Sequence, residues 1–228
     1  MLSIILFDLD GTIVNTDPIH YQAWREILEI HGLEIDEHFY QTRISGGTNA
    51  QIVKEILPQL SPTEGEKLAD EKEALFRQRA MDIQPLPGFT QLITWTQKHQ
   101  LKRALVTNAP RLNAYFMVEL LGIKDIFDTI ILADDCIAGK PDPIPYRKAL
   151  QVLNESGETG IALEDSPSGI RSAVGAGIPT IGITSTHNPH SLKANGAFMT
   201  VPDFTDLQLL TYLNSRLSTD LLDACVHS

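Results

Sequence analysis

Ile4-Ile5-Leu6-Phe7-Asp8-Leu9-Asp10-Gly11-Thr12, near the start of the chain, joins four apolar residues to two carboxylates and a glycine. The apolar run is short and rich in β-branched and aromatic side chains, as in a buried strand of a parallel sheet. Asp8 and Asp10 stand at i and i+2 and therefore share one side of an extended chain. Gly11 permits a sharp turn and lets a ligand approach its N–H. Two acids on one face at the end of a buried strand repel unless a cation sits between them or one keeps a proton. A divalent metal is the natural answer, although Asp-x-Asp-Gly is also compatible with a plain polar turn.

The composition narrows the classes. The chain has 228 residues, 43% hydrophobic and 21% charged, which is typical of a soluble globular protein with a sizeable core. No apolar run reaches membrane-span length, and the first is broken by Asp8, so neither a membrane partner nor a signal segment is expected. Cys136 and Cys225 make no disulfide framework, which points to a reducing, cytoplasmic setting. A formal net charge of −11 argues against a nucleic-acid partner. It also means that an anionic substrate must be held by local cations.

After Thr12 the sequence turns helical as far as about Met81. Asp17-Pro18 reads as a helix start, with Asp17 as the cap and proline at the first helical position, and Gly32 as the stop. Further helices are expected at 36–43, 48–57 and 63–82, and Pro85, Pro87 and Gly88 mark a boundary. From there helix and strand alternate: helices at 88–99, 111–121, 143–154 and 167–176, and strands at 103–106, 129–132, 160–163 and 179–183. This pattern predicts an α/β fold, a doubly wound parallel Rossmann-like sheet with right-handed crossovers. The expected core comprises residues 1–14 and 85–228, interrupted after its first strand by an all-helical cap of residues 15–84.

Ligands of open parallel sheets bind outside the carboxyl ends of the strands. Polar residues collect at three such ends: Asp8 and Asp10, Thr107 and Asn108, Glu164 and Asp165. The loop Gly139-Lys140-Pro141-Asp142 adds an ammonium. Each alone has an ordinary reading, such as a turn, a solvated lysine or an acidic helix N-terminus. Together they form a set of hard oxygen donors that suits Mg²⁺. Lys140, Thr107 and the backbone around Gly11 and Thr12 would serve phosphate oxygens.

The runs Phe7–Thr12, Thr107-Asn108, Gly139–Asp142 and Glu164-Asp165-Ser166-Pro167-Ser168-Gly169 resemble, in order, the four motifs of the haloacid dehalogenase superfamily. Within it, Asn15-Thr16-Asp17, His20 and Ala23-Trp24 are similar to β-phosphoglucomutase and its related sugar-phosphate phosphatases. The resemblance extends to about Leu217. It implies Asp8 as nucleophile and metal ligand, and Asp10 as general acid/base lending its carbonyl to the metal. It also implies phosphate binding by Gly11, Thr12, Thr107, Asn108 and Lys140, with Glu164 and Asp165 completing the metal site. The namesake dehalogenases lack the second aspartate, since a halide leaves without a proton, so Asp10 argues for phosphate chemistry.

The expected activity is Mg²⁺-dependent hydrolysis of a small phosphorylated metabolite, a sugar or polyol phosphate, by a monomer or weak dimer. The alternatives are a phosphosugar mutase and a non-catalytic phosphometabolite sensor. Candidate substrate residues in the cap are His20, Thr48, Asn49 and Lys72. His20 is equally readable as a partly buried or capping histidine, and Lys72 as one charge on a solvated face. Where the mutases carry an arginine for a second phosphate, this chain has Asn49, with Arg43 nearby. His187 and His190 stand three apart without further ligands for zinc.

Overall fold

The computed structural model describes residues 1–45 and 47–217. Six parallel strands form one sheet: β1 (Ile4–Phe7), β2 (Lys102–Thr107), β3 (Thr129–Leu132), β4 (Gly160–Glu164), β5 (Thr180–Ile183) and β6 (Met199–Val201). Their spatial order is β3-β2-β1-β4-β5-β6. The chain runs outward from β1 through β2 to β3, then returns to β4 on the other side of β1. The winding reverses between β1 and β4, so a crevice opens at the carboxyl ends of those two strands. Ile4 pairs with Gly160 and Phe7 with Leu163, so Asp8 and Glu164 follow in register.

Every residue of β1 is buried, as its unbroken apolar run requires for a strand covered on both faces. Alternation divides the core. Ile4 and Leu6 join Ala104, Val106, Ile131, Tyr146, Ala149, Leu150 and Ala162. Phe7 instead meets Phe89, Phe127 and Phe204 edge-on, with ring centroids 5.9–6.5 Å apart.

The chain divides into two compact units, Met1–Asn15 with Gln84–Ser228, and Thr16–Ile83. The second unit holds α1 (Asp17–Ile30), α2 (Glu37–Arg43), α3 (Asn49–Ile56) and α4 (Pro62–Arg79), followed by a 3₁₀ turn at Ala80–Asp82. Its core gathers Trp24, Leu28, Tyr40, Ile44, Ile52, Val53 and Leu68. Thr48 and Ser61 open α3 and α4 with reciprocal capping boxes to Gln51 and Glu64. Asp17 is not the cap of α1: Thr16 holds that place, and the Asp17 carboxylate accepts from Tyr40 and Gln41 of α2. The larger unit holds α5 (Phe89–Lys98), α6 (Arg111–Leu120), α7 (Ile144–Leu153), α8 (Pro167–Gly175), α9 (Pro189–Ala194) and α10 (Leu207–Ser215). Strand β6 and helices α9 and α10 were not expected from the sequence. Cys225 and Gly46 lie outside the described residues.

Candidate active site

Asp8 is the first residue beyond β1, and its N–H donates to Leu163 O at 3.1 Å, continuing the β1–β4 ladder. The chain then turns within five residues. The N–H groups of Ile13 and Val14 both reach Leu9 O, and that of Gly11 reaches Val14 O at 2.7 Å. Gly11 adopts φ +81°, and a Cβ there would lie 2.0 Å from Asp165 Oδ2. Only glycine satisfies both the left-handed backbone and the carboxylate against it. Gly169, in the first turn of α8, makes the equivalent space for Glu164: a Cβ would fall 1.8 Å from Glu164 Oε2.

Lys140 reaches the crevice from the loop before α7. Asn108, at the end of β2, holds that loop by two bonds to the Lys140 backbone, accepting its N–H at 2.9 Å and donating to its carbonyl at 3.0 Å. The amide expected at the phosphate thus secures the lysine. Gly139 lets the two chains come this close, since a Cβ there would lie 2.8 Å from Asn108 Oδ1. Thr107 is buried, and its hydroxyl accepts from Ala109 N at 3.0 Å.

At the centre, Lys140 Nζ lies 2.6 Å from Asp8 Oδ1 and 2.6 Å from Glu164 Oε1, with its side chain 3% exposed. Burial alone would lower the lysine pKa, but the two carboxylates outweigh it and raise it. Glu164 is pushed up to about 7 by burial, Lys140 countering and Asp8 adding to the rise. Burial, then the charges of Asp8 and Glu164, drive Asp165 well above the usual carboxylate range. Oxygens of Asp8, Glu164 and Asp165 all come within 4.8 Å of one another. With all three carboxylates ionised, the one ammonium would leave two negative charges uncompensated, which is the crowding that adds to burial in raising Glu164 and Asp165. Glu164 Oε2 is buried with no partner among the described residues. Hard oxygen donors, an unpartnered buried carboxylate oxygen and a double charge deficit together fit a small divalent cation.

A family model described as haloacid dehalogenase-like hydrolase matches residues 5–183. The chain belongs to the haloacid dehalogenase-like hydrolases. This hydrolase is 29% identical over 212 residues to validoxylamine A 7'-phosphate phosphatase of Streptomyces hygroscopicus subsp. limoneus, covering 91% of its own length and 97% of the relative's. It is likewise 29% identical to a phosphorylated carbohydrates phosphatase of Thermotoga maritima, over 79% of its length and 84% of the relative's. A solved β-phosphoglucomutase of Clostridium difficile superposes with a TM-score of 0.81 at 28% identity, covering 95% of the hydrolase and 97% of that chain.

Inside the helical unit, the four cap candidates have their own arrangement. Lys72 is not on a solvated face: it is 3% exposed, 2.9 Å from both His20 Nδ1 and Glu73 Oε1, and 5.4 Å from the Trp24 ring centroid. Asn49 donates to the same Glu73 oxygen at 2.6 Å. His20 stacks on Phe76 at 4.2 Å. An ammonium has only donors, so His20 Nδ1 accepts and the ring is neutral. Burial first, and the Lys72 charge second, lower the His20 pKa to about 3. Thr48 stands apart, its hydroxyl capping α3.

Two features of this hydrolase went unread in the sequence. Tyr146 of α7 is fully buried and donates to Glu164 Oε1 at 2.6 Å. Beyond β5, Ser185 donates to the Gly11 carbonyl and Thr186 to Asp165 Oδ2. The signal was available, because Thr184-Ser185-Thr186 lines up three hydroxyls at a fourth carboxyl strand end.

Proposed function

We propose that this chain is a phosphatase of small phosphomonoesters, sugar or polyol phosphates, acting through a phosphorylated Asp8. The observation that carries the reading is the meeting of Asp8, Lys140, Glu164 and Asp165 at the sheet's switch point, with Asp10 two residues beyond the nucleophile. Asp8 attacks phosphorus in line, the ester P–O bond breaks, and Asp10 gives its proton to the leaving alkoxide. Water then attacks the aspartyl phosphate while Asp10 takes its proton, releasing inorganic phosphate and restoring Asp8. Lys140 holds Asp8 and a phosphoryl oxygen together, and the Thr107 hydroxyl donates to another. The N–H groups of Gly11 and Thr12, expected at the phosphate, are instead spent inside the turn on Val14 O and Leu9 O. The Thr12 hydroxyl is buried without a partner among the described residues, which supports its assignment to the ligand.

Asp8, Glu164 and Asp165 are the residues that would hold Mg²⁺, with the Asp10 carbonyl joining them as the family resemblance implies. The chemistry it supplies when bound is neutralisation of charge on the phosphoryl oxygens. Unit Thr16–Ile83 is the cap that selects among substrates.

A mutase reading has a specific test, because handing phosphate back to a sugar requires a cationic grip on a second phosphate. The two cap cations nearest that role are each matched by a carboxylate, Arg43 by Glu55 at 2.6 Å and Lys72 by Glu73 at 2.9 Å. This supports hydrolysis. The deciding experiment supplies β-glucose 1-phosphate, a trace of glucose 1,6-bisphosphate and Mg²⁺. Stoichiometric inorganic phosphate is expected; conversion to glucose 6-phosphate with little release overturns the reading.

A further inference from the structure

Strand β5 delivers a segment that neither the motifs nor the proposed chemistry uses. Thr184 is still tied to the sheet, its N–H donating to Val201 O at 2.9 Å. The next two side chains turn toward the site and reach different parts of it. Ser185 Oγ donates to the carbonyl of Gly11, in the turn that carries Asp8 and Asp10. Thr186 Oγ1 donates to Asp165 Oδ2. The same threonine packs its methyl where a Gly11 Cβ would be, 3.0 Å away, so glycine, carboxylate and threonine meet at one point.

An aspartate carboxylate whose rotation is already held binds a cation without the cost of ordering it. The backbone fixes the Cα of Asp165 at the end of β4, but not the carboxylate plane. Thr186 supplies that constraint from an adjacent strand. With a cation bound, the Asp165 carboxylate is ionised and only accepts, so the single hydroxyl proton of Thr186 lies toward it. Its oxygen, 2.9 Å from His187 Nδ1, then accepts from the imidazole N–H. The result is a directed chain of hydrogen bonds running from His187 through Thr186 to Asp165. Ser185 does the corresponding work on the other side, clamping the first loop to the same segment.

We propose that Ser185 and Thr186 are positioning residues for the acidic site, presetting the Asp165 carboxylate and the Gly11 turn for a divalent cation. The proposal rests on the reading of Asp8, Glu164 and Asp165 as the cation's ligands. Partners of this outer kind typically govern metal affinity by about 10–100-fold.

The test is calorimetric titration of Mg²⁺ into the full chain, stripped with chelator and free of substrate. It compares the unaltered protein with Thr186→Val, Thr186→Ser, Ser185→Ala and Asp165→Asn, each first melted in chelator. Thr186→Val keeps the shape and methyl but loses the hydroxyl, and should weaken Mg²⁺ by about 10–100-fold. Ser185→Ala should move in the same direction. Thr186→Ser should bind close to the unaltered protein, and kcat at saturating Mg²⁺ should change less than affinity does. Unchanged affinity in Thr186→Val and Ser185→Ala, beside a loss in Asp165→Asn, overturns the proposal alone. An unaltered chain that binds no Mg²⁺ overturns the metal reading and the proposal together. Should Thr186→Val fail to melt cooperatively, Ser185→Ala decides by the same criterion.

Discussion

Replacing Asp8 by Asn removes the proposed nucleophile while keeping its shape. Breaking a buried ion pair usually destabilises, because a charge is left alone. Here Lys140 keeps Glu164 at 2.6 Å, and the crowding of three carboxylates is relieved. Asp8→Asn should therefore cut kcat by about three orders of magnitude or more. In chelator it should melt no lower than the unaltered chain; an active variant, or a clear drop in melting temperature, contradicts this account. Tyr146 gives a contrasting case. Its hydroxyl is one of two donors to Glu164 Oε1, and hydrogen bonds to charged groups are worth about 1.5–3 kcal/mol. Tyr146→Phe should lose about that much stability in urea titrations, with an unchanged m-value. No loss would mean that Lys140 alone satisfies Glu164 Oε1.

At the scale of elements, the cap's interior is set by one helix turn that carries Lys72 and Glu73 inward together. The neutral His20 ring against Lys72 makes that interior sensitive to acid. Its pKa, about 3 when folded, lies below the ordinary 6.5, so the unfolded chain binds the proton more readily. Stability from this group is complete above pH 6.5 and falls as pH drops below it, by up to about 1.4 kcal/mol per pH unit. Melting temperature should decline more steeply between pH 6.5 and 5 in the unaltered chain than in His20→Gln. Parallel profiles would dismiss the histidine as the cause. Lys72 also shows where sequence reading stops. Glu66, Lys67, Asp70 and Glu71 surround it with charge, and only its place four residues from both Leu68 and Phe76, on the buried stripe of α4, marks it as the lysine that turns inward. Strand β1 was legible because four apolar residues end in paired acids. Strand β6 was not, being three residues long with a threonine at its centre and lying at the sheet's edge. Tyr146 reads as an ordinary core aromatic on α7, since its hydroxyl finds Glu164 only across the fold.

For the whole molecule, the unbalanced acids make stability depend on a cation. A ligand that binds only the folded state adds about 2.7 kcal/mol at a hundredfold excess over its Kd. Millimolar Mg²⁺ should raise the melting temperature of the stripped chain, and chelator should reverse it; identical melts with and without Mg²⁺ would remove the cation from the account. The sheet order carries a further consequence, for how the molecule comes into being. Asp8 is joined to Glu164 by pairing between the first strand and the fourth, with the whole helical unit and two more strands lying between them in the chain. On a ribosome the central strand emerges roughly 150 residues ahead of its neighbour β4, which at about 5–20 residues per second is an interval of many seconds. The helices of the inserted unit, whose contacts are local, have time to fold in that interval, while Ile4–Phe7 waits for the neighbour that covers its open edge. The proposed catalytic centre thus assembles only after the inserted unit has had time to fold, and a nascent chain released short of β4 carries Asp8 without its lysine-linked glutamate.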